Sequence, residues 1–344
     1  MKKMKKFEFR EIGKDDIFDP TTICENTPFT QAFFYGDWQK KLGRTVKRFL
    51  VIDGEKTIAY FQLIKYPLLF GRSYFYVPYG PITKVFSEDF FVNLKDELMR
   101  IAKAEGAVFV RLDFTPQVSN EILSKFFAKS PLYTYHSAHF QPRTEWFLDL
   151  DKTETELLMA MHTKNRYSIR LSERRGVTVE ITRDFEKYFD IFYELMTETA
   201  KRNGFSLHHK DYYANIFQNL ENINSYLSIA RFEGKILAID LVVVFGKTAN
   251  YIFGGSSSEG RNRMPTSHLA QWKAICHAKQ LGCVNYNFGG ISTGNYIYKG
   301  WEGITIFKKR FGGREVKHSD FFDVISNHFL YRIYNLRKLI KKIL

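Results

Sequence analysis

Three cysteines in 344 residues, Cys24, Cys276 and Cys283, form no even framework and no CxxC pair. The pattern argues against a disulfide scaffold and against a cysteine-based zinc site, and a reducing cytosol is the simple expectation. No run approaches the roughly 20 apolar residues of a membrane-spanning helix. The basic N-terminus, MKKMKKFEFREIGKDD, has no apolar stretch behind it, so the chain is expected to be neither exported nor integral to a membrane. Clusters of His, Cys and carboxylate with metal-ligand spacing are missing, as are GxSxG and Walker-type loops. No metal or cofactor is expected, and any reaction has to work by positioning a substrate that is already activated.

What the chain does have is positive charge. Lysine and arginine outnumber the acids by 51 to 37, giving a formal net charge of +14 and a pI near 9.4. A surplus spread along the chain favours an anionic partner: RNA, a phosphorylated metabolite or an acidic membrane surface. The length and a 44% hydrophobic content suit two domains of ordinary size that fold without staples.

An internal pattern supports the count of two. Between Lys47 and Phe114 the sequence reads strand, DGEK turn, strand, GR turn, aromatic-rich strand, helix ending in AKAEG, and the strand AVFVRLDF. Between Tyr226 and Gly290 the same order recurs, with a helix ending in AKQLG and the strand CVNYNFGG. Two copies of one mixed α/β unit are expected, divided near Pro142 to Lys152. Meander, helix and returning strand outline the GCN5-related acyltransferase fold. The loop that would grip an acyl-CoA pyrophosphate, GRNRMPTSH from Gly260 to His268, lacks the second and third glycines of that fingerprint, so a CoA donor is not supported.

Four segments concentrate the charge. HTKNRYSIRLSERRG, His162 to Gly176, predicts a helix capped by Gly176, with Arg166, Arg170 and Arg174 on one face and Lys164 nearby. It reads equally as an anion-binding face or a solvated surface helix. KRNGFSLHHKDYY ends one helix at Asn203-Gly204 and starts another near Asp211, placing His208, His209, Tyr212 and Tyr213 at the boundary. FKKRFGGR, Phe307 to Arg314, pairs an aromatic and cations with Gly-Gly, as a loop holding a polyanion would. In the last segment, Phe329, Ile333, Leu336, Ile340 and Ile343 recur at helical spacing among Arg332, Arg337, Lys338, Lys341 and Lys342. Docking of that apolar stripe on the protein body is the first expectation, and a basic amphipathic helix lying on an anionic bilayer is the second.

With these segments in place, the chain resembles the FemABX family, whose members build peptidoglycan cross-bridges from aminoacyl-tRNA. The resemblance is carried by TQAFFYGDWQKKLGR, YVPYGPI, VRLDF, the basic helix followed by VTVE, YIFGGSSSEG onward to YNFGGIS, and GITIFKKRFGG, in the family's order. It implies an α/β (α+β) fold of two tandem GCN5-related acyltransferase (GNAT)-like domains. The first would be 1–145, an acceptor cleft completed by a C-terminal helix, 317–344, packed back on it. The second, 146–316, would carry the donor channel. The basic helix runs straight into VTVEITRDFEKYF, which implies the compact form without the helical-hairpin arm of some members.

Residue roles follow by the same resemblance. Lys308 with Phe307 matches the family's FK pair, implied to meet the donor's 3′ end and to stabilise charge on the reacting ester. Lys309, Arg310, Lys164, Arg166 and Arg170 would join it on the tRNA. Asp113 matches an acidic residue implied to meet the attacking amine. The family's acceptor-phosphate lysine falls on Gln39, beside Lys40, and an expected arginine falls on His208, followed by Tyr212; Phe253 is placed with these acceptor residues. The family's YDFGG aspartate is Asn287 here.

The expected function is therefore transfer of an amino acid from aminoacyl-tRNA to the stem-peptide amine of a peptidoglycan precursor, either lipid II or UDP-MurNAc-pentapeptide. The expected setting is cytoplasmic, at the inner face of the plasma membrane, as a monomer with peripheral contact to anionic lipid. Rival readings are an N-acyltransferase for a polysaccharide, lipid or protein acceptor, and a non-catalytic RNA- or membrane-binding module.

Overall fold

The computed structural model describes residues 4–13, 15–16, 18–131, 140–220, 223–258, 264–294 and 300–343, the last three by backbone alone. The chain forms two units, Met1–Arg143 with Lys317–Leu344, and Thr144–Val316.

The first unit runs β1 (Glu8–Ile12), α1 (Phe33–Lys41), β2 (Val46–Asp53), β3 (Lys56–Pro67), β4 (Ser73–Val77), β5 (Ile82–Thr83), α2 (Glu88–Ala104), β6 (Ala107–Asp113), α3 (Asn120–Leu123) and β7 (Ala128–Lys129). The second runs β8 (Thr144–Asp149), α4 (Glu154–Ala160), α5 (Thr163–Arg174), β9 (Thr178–Thr182), α6 (Phe185–Asn203), α7 (Lys210–Asn219), β10 (Ser225–Phe232), β11 (Lys235–Phe245), β12 (Thr248–Ser256), α8 (Thr266–Gln280), β13 (Asn285–Gly290), α9 (Glu302–Lys309) and β14 (Arg314–Lys317). The chain then returns to the first unit as β15 (Phe321–Ile325) and α10 (His328–Ile343).

Local chemistry sets these boundaries. Ser87 caps α2 by accepting from the Phe90 N–H, with Glu88 and Asp89 in the first turn, where acids favour the positive helix end. Phe90, Phe91, Leu94, Leu98 and Ile101 then bury one face of α2 in the core of the first unit. α6 stops at Gly204, whose φ of +70° suits a left-handed cap.

The two sheets have matching orders, β1-β2-β3-β4-β6-β15-β7 and β9-β10-β11-β12-β13-β8-β14. In each, an antiparallel meander is followed by a helix and a parallel partner for its last strand, β6 beside β4 and β13 beside β12. The repeated pattern in the sequence is this unit. The strand beyond the parallel pair has a different origin in each sheet: β8 precedes its meander, whereas β15 is donated from the C-terminal end of the chain. α5 gives way to β9 after three residues, without an inserted hairpin.

The C-terminal helix corrects the first expectation for its stripe. α10 contacts β6 through aromatics: the Tyr331 hydroxyl donates to Asp323 Oδ2 at 2.6 Å, and the Tyr334 ring lies 5.1 Å from that of Phe109. Phe329, Ile333, Leu336 and Ile340 face outward, at 72, 45, 60 and 48% exposure. The buried Arg111–Asp323 pair, joined by two 2.8 Å hydrogen bonds, accounts for the choice. It needs a hydroxyl donor and ring faces beside it, which the tyrosines supply and an aliphatic stripe does not. The side chains of Lys341, Lys342 and Ile343 lie outside the described residues.

Candidate functional site

In the second unit β12 and β13 pair only from Thr248↔Asn285 to Asn250↔Asn287. Beyond that point the strands part. Lys308, in the last turn of α9, fills the gap from one side: it is 7% exposed, and its Nζ donates to the Gly290 carbonyl at 2.7 Å. The Trp301 ring lies 5.9 Å from Nζ. Burial pushes the lysine down to about 7, against the pull of the Glu145 carboxylate. Nothing larger than glycine suits position 289, where φ is +75° and a Cβ would stand 3.6 Å from the Tyr251 carbonyl oxygen and 3.8 Å from Lys308 Nζ.

Asn287 sits at the point of parting. Its amide nitrogen donates to Glu145 at 3.0 Å and to Asn250 at 3.3 Å, while its oxygen accepts from the Gly289 N–H at 2.7 Å. An aspartate in this place would face Glu145, which explains asparagine here. Glu145 escaped sequence reasoning because it lies 142 positions away in the chain.

FKKRFGGR is the end of a helix rather than a loop. Phe307, Lys308 and Lys309 close α9; Gly312 and Gly313, with φ of +84° and +97°, turn the chain into β14. Phe307 faces His268 and Phe311 at 5.2 and 5.1 Å, so its half-buried ring packs against the core of the unit. Burial beside these rings pushes His268 down to about 4. Lys309 is exposed, 5.2 Å from the Trp146 ring.

The basic helix joins this corner. The His162 N–H at the start of α5 donates to the Arg310 carbonyl at 2.9 Å, bringing Lys164 and Arg166 to the same side of the unit as Lys309. Arg166 is committed in part to local work, donating to the Met159 carbonyl at 2.9 Å and also to that of Met161. Arg170 and Arg174 are exposed and line a groove of about 480 Å³ with Tyr167 and Glu173. Gly260 to Arg263 of the phosphate-loop candidate lie outside the described residues.

His208, Tyr212 and Phe253 come together through Tyr213. The His208 ring stacks on Tyr212 at 4.0 Å, Tyr212 meets Tyr213 at 5.4 Å, and Tyr213 meets Phe253 at 5.2 Å. His209 is exposed and paired with Asp211 at 3.0 Å.

Asp113, Gln39 and Lys40 belong to the first unit. Asp113, at the end of β6, is fully buried. It accepts from the Tyr76 hydroxyl at 2.7 Å, the Tyr79 N–H at 2.5 Å and Arg143 at 3.3 Å. Burial raises its pKa, and Arg143 and the two donors pull it back. Both oxygens are thus already engaged. Gln39 is 2% exposed and its oxygen accepts from Arg44. Arg44 packs over the Tyr66 ring at 4.7 Å, and Lys40 is exposed near Asp37 at 3.8 Å. The cation that supports this corner is therefore Arg44, five positions beyond Gln39 and visible in the sequence only once α1 is known to end between them.

The FemAB family model matches residues 123–234 and 229–339. The lipid II:glycine glycyltransferase of Staphylococcus aureus is 25% identical, the match covering 90% of each chain. The crystal structure of FemX superposes with a TM-score of 0.79 at 21% identity, over 92% of this chain and 96% of that one. A tandem GNAT protein from the clavulanic acid pathway gives 0.52 at 10% identity, over 94% and 99%. The fold is that of two tandem GNAT-like domains, and the chain belongs to the FemAB family.

Proposed function

We propose that the protein transfers an aminoacyl group from charged tRNA to the stem-peptide amine of lipid II, working at the inner face of the plasma membrane. The observation that carries this reading is Lys308, a buried lysine set where β12 and β13 part. An aminoacyl ester is already activated, so a neutral amine held at near-attack distance adds to its carbonyl without a metal or nucleophile. The C–N bond forms, the C–O bond to the ribose breaks, and the amine's proton ends on the ribose hydroxyl. Lys308 would stabilise the oxyanion in between. Lys164, Arg166, Arg170, Lys309 and Arg310 would meet tRNA phosphates.

The name of the staphylococcal relative supports a lipid-linked acceptor, and so does α10. Its outward apolar residues are flanked by exposed Arg332 and Arg337, the composition of a helix that lies on anionic lipid. No helix among the described residues is long and apolar enough to cross a membrane. On the acceptor side, Lys40 and Arg44 of the first unit would take the phosphate role beside the enclosed Gln39. Asp113 would act by holding Tyr76 and the Tyr79 backbone in place rather than by meeting the amine.

The test is product mass after incubation with a full set of charged tRNAs and either lipid II or UDP-MurNAc-pentapeptide. One added aminoacyl residue on lipid II supports the reading. Addition to the nucleotide-linked precursor alone would refute the membrane part of it, and tRNA binding with no product would refute transfer.

A further inference from the structure

The turn between β3 and β4 reads PLLFGRS. At its tip Phe70 is 93% exposed, more than any other large apolar side chain among the described residues, and Leu69 beside it is 48% exposed. The Arg72 N–H donates to the Leu69 carbonyl at 3.2 Å and the Leu68 N–H to the Arg72 carbonyl at 2.6 Å, so Phe70 and Gly71 are the two central residues of a tight hairpin turn. Their φ values are +57° and +68°. A hairpin turn with both central φ positive is ordinarily built from Asn-Gly or Asp-Gly, because bulky side chains are disfavoured in the left-handed region. Here the glycine is kept and a phenylalanine stands in the other position. Neither the turn nor the core calls for that ring, and an outward aromatic on a strained tip marks contact with something outside the chain.

The tip lies at the end of the first unit where α10 begins. Ser73, where β4 leaves the turn, pairs with Ala107, and the Ser326 hydroxyl, just before α10, donates to the neighbouring Val108 carbonyl at 2.9 Å. α10 then brings the Tyr334 ring to 6.3 Å from Tyr74, and Tyr74 stacks on Tyr66 at 5.4 Å. Tyr66 in turn carries the Arg44 guanidinium over its ring. A continuous row, Tyr334, Tyr74, Tyr66 and Arg44, thus runs along the base of the hairpin, from α10 with its outward apolar stripe to the proposed acceptor-phosphate corner. Charge is of one sign here: the sequence has no acid from Lys56 to Ser87 or from Val324 to Leu344, and Arg72, Arg332 and Arg337 are exposed. Glu105, beside Lys65, is already paired with it and with Lys47. Apolar points among cations, with no acid between, fit the anionic face of a bilayer, whose interior takes the ring and whose phosphates take the arginines.

We infer that the β3–β4 hairpin tip is a second membrane anchor, inserting Phe70 and Leu69 into an anionic leaflet beside α10. This rests on the membrane part of the reading above and adds to it what holds the acceptor corner at the lipid surface. A single helix lying on a bilayer leaves the unit free to roll about the helix axis; a second point of insertion fixes its orientation. With the tip seated between α10 and Arg44, the arginine stays at the level where the phosphates of a lipid-linked acceptor lie, since the acceptor's own tail is in the bilayer.

The test compares wild type, Phe70→Asn and Leu336→Glu in sedimentation with vesicles of phosphatidylglycerol and phosphatidylcholine in equal parts. Asparagine suits the turn, so Phe70→Asn should melt at or above the wild-type temperature. Its apparent vesicle affinity should nevertheless fall by at least about tenfold, the scale of losing one buried phenylalanine. Phe70→Trp, which keeps a ring suited to the lipid interface, should bind as wild type does. The ratio of kcat/KM on vesicle-borne lipid II to that on a water-soluble, short-tailed analogue should fall with the affinity in Phe70→Asn; an equal loss on both acceptors would place the tip's action elsewhere and overturn the inference. Phe70→Asn protein that binds vesicles as wild type does, while Leu336→Glu is weakened, overturns it and leaves the α10 reading intact. Wild-type protein that ignores the vesicles overturns both, whether or not transfer is found, because sedimentation needs neither donor nor acceptor. A dimer in size-exclusion chromatography that Phe70→Asn dissociates would assign the tip to a second copy of the chain instead.

Discussion

The two units share one strand order, yet their parallel pairs end differently. In the first, β4 and β6 stay paired from Ser73↔Ala107 to Val77↔Leu112, and the acid at the end of β6, Asp113, is sealed among a tyrosine hydroxyl, a backbone amide and an arginine. In the second, β12 and β13 part after Asn250↔Asn287; among the described residues the lysine at the opening donates to the Gly290 carbonyl, and Oδ2 of the buried acid Asp240 has no partner. The parallel strand pair of the scaffold stays closed in one copy and opens in the other. The opened pair with a lysine at its mouth is the reason the donor chemistry is proposed for the second unit.

The sharpest way to break this comparison is to exchange charge for amide in the closed copy. Asp113→Asn leaves Arg143 buried with a weakened partner and should cost roughly 3 kcal/mol or more of stability in urea unfolding. Asp240→Asn in the open copy should cost nothing measurable, because burial already favours the uncharged acid there. Equal losses from the two substitutions would erase the distinction.

Lys308→Ala should lower transfer by roughly 10²- to 10³-fold, the usual effect of removing an oxyanion donor, with the fold retained. The same lysine should also show in stability against pH. Its folded-state pKa, about 7, lies below the unfolded value of 10.5, so between those limits the unfolded chain holds the extra proton and stability climbs with pH. Lys308→Met should flatten that climb. Transfer, measured as kcat/KM for charged tRNA, should fall as pH rises past about 7 in the wild type, since the protonated form is the one that meets the oxyanion.

A smaller effect is expected at the point of parting. Asn287→Asp sets a carboxylate against Glu145 and should cost roughly 1–2 kcal/mol of stability, less at low pH where either acid can take a proton. Smaller still for the folded protein, and confined to lipid, is Leu336→Glu on α10. Sedimentation with phosphatidylglycerol vesicles should weaken by about tenfold, as expected for losing one inserted leucine, with unfolding unchanged. Equal binding to neutral vesicles would remove the electrostatic part of that account.

Much of the architecture was legible because it rests on local signals. The DGEK turn, the Asn203-Gly204 stop, the Gly176 cap and the repeated helix-strand order are set by residues within a few positions of one another. What could not be read depends on distant partners. β15 is an unremarkable FFDVI whose place beside β6 is decided by Asp323 meeting Arg111 across 212 positions. The face of α10 that docks was misread because periodicity counts apolar residues and does not see that a buried ion pair needs tyrosine hydroxyls. Asp240 did leave a mark in the sequence, an acid within KILAIDLVVVF, although its loneliness is visible only with α8 in place above it.

The central claim is that the 3′ end of tRNA reacts at the opened strand pair of the second unit. Periodate-oxidised tRNA carries a 3′ dialdehyde that condenses with a nearby neutral lysine, and borohydride fixes the adduct for peptide mapping by mass spectrometry. A lysine pushed down to about 7 is the readiest to react. The account predicts one dominant adduct on Lys308, lost in Lys308→Ala; a dominant adduct on Lys40 or Lys41 of the first unit would contradict it.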